Sequence, residues 1–88
     1  MKLKNKLEVV EWADSYSPSD IGWKSIAEME EPDNMVCISV GWIEKETKDN
    51  ITIVPHITDI YDKKTEGYGY GILTIPKGVI LKRTKIKY

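Results

Sequence analysis

The chain has 88 residues, of which 41% are hydrophobic and 31% charged, and its formal net charge is −1. A single domain of this size buries only about 60–65% of its unfolded surface, so its core is small and association between copies would supplement it. The only cysteine, Cys37, excludes an internal disulfide, and a single histidine argues against a metalloenzyme.

No apolar run approaches the roughly 20 residues that span a bilayer. The basic start over residues 1–6 is not followed by the apolar segment of a signal peptide. We therefore expect a cytoplasmic protein.

The charge is unevenly spread. Residues 1–35 carry four lysines and eight acids, residues 36–76 four lysines and six acids, and residues 77–88 four lysines, one arginine and no acid. A duplex-DNA binder normally has a clear basic excess, which this chain lacks. The basic last segment fits a small anionic ligand, or an acidic patch on a sister subunit.

In chain order, residues 6–12 predict a first strand, and the Asp, Ser and Pro cluster of residues 13–20 predicts a loop that carries Tyr16. Residues 22–31 have helical spacing. Trp23, Ile26 and Met29 share one face, and Pro32 ends the pattern, so we expect a short helix.

The longest run of small and apolar residues covers 34–43 and predicts a central strand covered on both faces, closed by a charged turn over residues 44–50. Gly41, inside this run, indicates a bulge or a place where another group approaches the backbone closely.

Further strands are predicted at 51–55, at 72–75 and, as one strand or two, over 79–87. A long connection over residues 59–71 ends in alternating glycine and tyrosine. Five short strands and one helix after the first predict a mainly β fold: a single small five-stranded antiparallel barrel of SH3-like or Sm-like type over residues 1–88.

We do not expect this protein to be an enzyme. Cys37 and His56 could pair, but burial in an apolar run leaves a thiol inert. The carboxylates fall in turns and solvated faces, and the glycines of residues 67–71 do not precede a helix as a phosphate loop does. His56 fits either a structural role or a phosphate contact.

All aromatic rings belong to three Trp and five Tyr, the types that favour recognition surfaces. We assign Trp12, Trp42 and Ile75 to the core. For Tyr16 and Trp23, which flank the loop, core packing and ligand contact are equally favoured.

Five short motifs occur in order: Trp12-x-Asp14-Ser15, Gly22-Trp23, Ser39-Val40-Gly41-Trp42, Pro55-His56-Ile57 and Ile75-Pro76-Lys77-x-x-Ile80. Through them the chain, from about Leu7 to Ile86, resembles a widespread family of small phage-encoded proteins. Within that family it is most similar to the anti-CBASS sponges, compact SH3-like proteins that bind the cyclic nucleotide signal of bacterial antiphage defence and keep it from its effector.

The resemblance implies a homo-oligomer with sites between subunits, which sequesters a cyclic dinucleotide such as 3′,3′-cyclic GMP-AMP in the infected host cytoplasm without cleaving it. No cofactor or metal, no membrane and no duplex nucleic acid are expected. Six ligand-binding residues carry over: Tyr16 and Trp23 as stacking surfaces, Ser39 and Thr74 as hydroxyl contacts, and His56 and Lys77 as phosphate contacts.

A competing hypothesis is a protein-binding module, which presents Tyr68, Tyr70 and the acidic end of the predicted helix to a host enzyme or defence protein. A third, binding of single-stranded nucleic acid by an Sm-like barrel, is disfavoured by the charge.

Overall fold

The computed structural model describes residues 6–14, 23, 25–29 and 35–88. This part of the chain is mainly β, with two short 3-10 helices at Ile26–Glu28 and Lys77–Val79. The strands are β1 (Leu7–Asp14), β2 (Met35–Glu46), β3 (Asn50–Val54), β4 (His56–Thr58), β5 (Tyr68–Tyr70), β6 (Leu73–Pro76) and β7 (Ile80–Ile86).

Five strands form one antiparallel sheet in the order β6-β3-β2-β1-β7, and β4 pairs with β5 in a separate hairpin. The predicted antiparallel five-stranded arrangement around a central second strand is confirmed. The prediction of a closed barrel is wrong for the described residues, because no pairing joins β6 to β7 and the sheet stays open at both edges.

The long strand β2 connects the two halves of the sheet. Its first eight residues pair with β1, and residues from Trp42 to Glu46 pair with β3, with a register shift between Ile43 and Lys45. The strand therefore runs through part of the predicted charged turn. The turn itself is shorter, and the Thr47 hydroxyl closes it by accepting a hydrogen bond from the Asn50 backbone N–H at 3.1 Å.

Gly41 is a position of close approach, as its place inside the strand predicts. A Cβ built there would clash with the Ile53 side chain and lie 3.0 Å from the Val54 carbonyl oxygen. The glycine thus lets β3 lie close against β2 where the two strands begin to pair.

The core lies on one face of the sheet. Val10, Ile51, Ile53 and Ile75 are buried there, and Trp12, Ile43, Val79 and Ile80 pack against them. The assignments of Ile75 and Trp12 to the core are confirmed. Trp42 is half-buried and points to the opposite face, where its ring meets that of Tyr88 edge-on with 6.4 Å between centroids.

The predicted helix over residues 22–31 is wrong in its described part, which contains only the 3-10 turn Ile26–Glu28. Ser25 precedes this turn without a side-chain capping bond. Trp23, Ile26 and Met29 are exposed, at 107%, 86% and 60%. A short helix is stabilised mainly by packing of its apolar face. Because these three side chains are exposed, that stabilisation is missing. None of the helices in the described ranges is long or apolar enough to span a bilayer.

The molecule is elongated. Its radius of gyration is 17.4 Å and its extents are 57 × 24 × 21 Å, whereas a compact chain of this length has a radius of gyration of about 12 Å. One cause is that residues 35–41 of β2 pair with β1 but not with β3, so the sheet is only three strands wide there, β2-β1-β7, and two strands wide beyond Trp12. The expectation that this strand is covered on both faces is wrong, since Val36, Ile38 and Val40 are 50–66% exposed.

Candidate functional site

Two regions of the described chain could carry function: a charged cleft and an aromatic hairpin. The charged cleft has a volume of about 650 Å³, within the range of about 300–1,000 Å³ typical of ligand pockets. Ile43 and six charged side chains line it: Lys6, Glu8, Glu44, Glu46, Arg83 and Lys85.

Arg83 organises the cleft. Its Nε donates to Glu8 Oε1 at 2.7 Å and its Nη2 to Glu8 Oε2 at 2.9 Å, a bidentate pair. Its Nη1 and Nη2 also donate to the Glu46 carboxylate at 3.2 and 2.9 Å. The Lys77 ammonium reaches the same carboxylate at 2.8 Å. Glu46 thus links the turn end of β2 to β7, two strands away in the sheet, which shows how strongly the sheet curls.

The position of Glu8 explains why this network exists. Period-two alternation along β1 puts Glu8 on the face of Val10 and Trp12, and its side chain is only 2% exposed. A buried carboxylate requires a paired cation and hydrogen-bond donors. Arg83, which is opposite Val10 on the adjacent strand, supplies both.

The network shifts the pKa values of two of its members. Hydrogen bonds from Arg83, and then from Lys77, lower the pKa of Glu46 from its usual 4.5 to about 2. Hydrogen bonds to Glu8 and Glu46 raise the pKa of Arg83. Both shifts favour the charged forms, so neither group is suited to give up or accept a proton near neutral pH.

Arg83 already serves two carboxylates, which leaves little donor capacity for an anionic ligand. We interpret the floor of the cleft as a structural ion network. Among the described residues, no group of three or more His, Cys, Asp or Glu side chains is arranged to hold a metal ion.

The second region is the outward face of the β4–β5 hairpin, here called the aromatic hairpin face and formed by His56, Thr58, Tyr68 and Tyr70. His56 lies opposite Tyr70 and Thr58 opposite Tyr68, so all four project from one face. The His56 and Tyr70 rings are 6.4 Å apart at 53°. Tyr70 is 80% exposed and Tyr68 57%.

The alternation of glycine and tyrosine creates this face. A Cβ at Gly69 would lie 2.7 Å from Val54 Cγ1, so the strand packs closely against β3 and its tyrosines turn outward. Gly67 has a φ of +100°, and a Cβ there would lie 2.8 Å from the Thr58 carbonyl oxygen. Both glycines are therefore required by close packing within the chain itself.

The six residues predicted to bind ligand are dispersed. Tyr16 lies outside the described residues, and Trp23 is fully exposed. Ser39 is half-buried on the core face, where its hydroxyl accepts a hydrogen bond from Trp12 Nε1 at 3.0 Å. The Thr74 hydroxyl shares a 3.0 Å hydrogen bond with that of Thr52.

Lys77 contacts Glu46 on the core side of the sheet, whereas Thr74 alternates with the buried Ile75 and faces the other way. His56 lies on the separate hairpin. Within one chain, the structure brings none of the described predicted ligand residues into contact with another through a hydrogen bond or ring contact. It instead joins His56 to Tyr70, a residue that the protein-binding hypothesis uses.

Sequence reasoning missed the Glu8–Arg83 network. The sequence signal for it was Glu8, a glutamate that alternates with the apolar Val10 along the first strand. Its partner lies 75 residues away, and no local pattern connects the two.

Comparisons with models of protein families, with curated proteins and with solved structures find no significant match to this chain.

Proposed function

We propose that this chain binds and sequesters a cyclic dinucleotide, such as 3′,3′-cyclic GMP-AMP, without cleaving it, and that it serves phage evasion of bacterial defence in the host cytoplasm. The observation that carries the proposal is the aromatic hairpin face, where exposed rings lie beside a hydroxyl. Stacking of a base on an aromatic ring contributes about 1–3 kcal/mol. Tyr70 and Tyr68 thus offer two stacking surfaces, with His56 placed to donate to a phosphate.

A sponge must compete with a receptor, which requires a Kd near nanomolar, about −12 kcal/mol. Two stacked bases supply only part of this free energy. The hairpin face is open to solvent, and a well-enclosed ligand needs a second wall. We therefore place the binding site between subunits of a homo-oligomer.

We also propose that the fold is SH3-like. The support is the strand order, in which the last strand returns to pair with the first, and the 3-10 helix Lys77–Val79 that turns the chain between β6 and β7.

A thermal-shift screen against cyclic di- and trinucleotides, with linear dinucleotides and AMP as controls, tests the function. Ligand at 100 times its Kd adds about 2.7 kcal/mol, which corresponds to roughly 10–20 °C for a domain of this size. The bound species should be recovered intact. Tyr70→Ala should weaken binding by about 5- to 150-fold through loss of one stack.

Tyr61→Ala is the matched control, because Tyr61 is 78% exposed in the same connection but does not belong to the hairpin strands. Its affinity should equal that of the unaltered chain. The absence of a shift with every nucleotide, or equal losses in Tyr70→Ala and Tyr61→Ala, would contradict the proposal.

The exposure of Trp23, Ile26 and Met29 favours a second candidate, a module that binds and inhibits a host or defence protein. Large exposed apolar side chains are typical of protein interfaces. A protein partner captured by the unaltered chain but not by Trp23→Ala, together with a thermal-shift screen in which no nucleotide raises the melting temperature, would support this candidate over nucleotide sequestration.

A further inference from the structure

The N-terminal half of β2 presents an unpaired strand edge. Residues 35–41 pair with β1 on one side, and pairing with β3 starts only at Trp42. In the described chain, no strand occupies the other side of this seven-residue segment. Its backbone groups are therefore open to a further strand.

The remaining exposed edges are protected in ways that this segment is not. β6 has four residues and ends in Pro76, β4 and β5 have three residues each, and β7 carries Lys82, Arg83 and Lys85. Short strands, proline and basic charge are the usual means by which edges avoid pairing. Residues 35–40 contain no charge and no proline, and only Gly41, against which β3 packs, is covered at the end of the segment.

The side chains of this segment match a second copy of themselves. Antiparallel pairing about a two-fold axis at Ile38, the central residue, sets Ile38 against Ile38 and Val36 against Val40 on the outward face. These side chains are 66%, 54% and 50% exposed in the single chain. On the other face, Cys37 meets Ser39. The pairing joins residues 36–40 of the two copies and brings no like charges together.

We propose that two copies of this chain join through residues 36–40 of β2, paired antiparallel about Ile38 into a continuous sheet. The dimer covers the exposed apolar row of Val36, Ile38 and Val40, and neighbouring strands lie about 4.8 Å apart across the axis. The inference does not depend on the nucleotide proposal, because the interface forms without ligand.

Light scattering and sedimentation of the nucleotide-free chain test this inference. The expected mass is twice the 10.1 kDa of one chain, falling toward one chain on dilution. Ile38→Lys sets two ammonium groups against each other across the axis and removes two apolar contacts, which should raise the dimer Kd by about 100-fold or more. Leu81→Lys, at a residue 61% exposed on β7, is the matched control and should leave the dimer Kd unchanged.

Cross-linking gives an independent test of the register. In a Cys37→Ser background, Ile38→Cys places two thiols at directly opposed positions, with Cβ atoms about 4.5–5.5 Å apart, close to disulfide geometry. It should cross-link rapidly, and Leu81→Cys in the same background should not. A chain that stays monomeric at every concentration, a dimer that Ile38→Lys leaves intact, or failure of Ile38→Cys to cross-link overturns the proposal. The Ile38 variants do not test nucleotide binding, which the thermal-shift screen measures separately, whereas a chain that stays monomeric with nucleotide bound would also exclude a nucleotide site between subunits.

Discussion

Replacing Arg83 by methionine is expected to be among the most destabilising single changes in the described sheet. The Glu8 carboxylate is 2% exposed and accepts hydrogen bonds from Arg83 at 2.7 and 2.9 Å. Without the guanidinium, a buried charge loses its partner, and the loss of one member of such a pair costs about 3–5 kcal/mol. A chain of 88 residues has a total stability of about 4–13 kcal/mol, so Arg83→Met should leave a marginal fold at pH 7.

Urea unfolding followed by circular dichroism measures the loss. Lys77→Met provides the control, because the Lys77–Glu46 pair is equally short, at 2.8 Å, but its side chains are 34% and 40% exposed. Exposed pairs contribute at most about 1 kcal/mol. The double variant Glu8→Leu with Arg83→Met should recover most of the stability, because apolar residues of similar volume replace a buried ion pair at little cost.

Two outcomes would refute this prediction: Arg83→Met costs no more stability than Lys77→Met, or the double variant is less stable than Arg83→Met alone. Either result would mean that the Glu8 carboxylate is stabilised by something other than the guanidinium.

Two further predictions concern β2 and pH. Gly41→Ala should lower the free energy of unfolding by about 1–3 kcal/mol, because the added methyl group meets the Ile53 side chain and the Val54 carbonyl. A urea unfolding curve equal to that of the unaltered chain would contradict the close approach of β3. The Glu46 pKa of about 2 lies below its usual 4.5, so the unfolded chain binds more protons between these values and stability should fall as the pH drops from about 4.5 to about 2. Glu46→Gln should lack that part of the acid-induced loss, and parallel pH profiles of the two proteins would show that Glu46 does not contribute.

The strands and part of the core followed from local patterns. The β-branched residues of the five main strands predicted their places, Gly41 predicted the close approach of β3, and the burial of Ile75 was expected. These inferences succeeded because each depends on neighbouring residues and on a two-residue period.

What failed depends on contacts between distant residues. The spacing of Trp23, Ile26 and Met29 fits a helix, but spacing does not reveal whether anything lies opposite that face. The apolar run of residues 34–43 likewise shows where a strand forms, not which of its sides are covered. The network of Arg83 with Glu8 and Glu46 joins the two ends of the chain, and the curl that brings Glu46 to β7 cannot be read from the sequence.

The pairing of β1 with β7 has a consequence for folding kinetics. Leu7 lies opposite Ile86, so the strand that opens the sheet is completed by the strand that closes it. Almost the whole chain must form one loop before these residues meet, and folds dominated by such distant contacts form slowly. On the ribosome, Glu8 has no partner until residue 83 has been released, so the nascent chain cannot bury it. We therefore expect the domain to fold only once residues 80–86 have left the ribosome, in one cooperative step set by the arrival of β7.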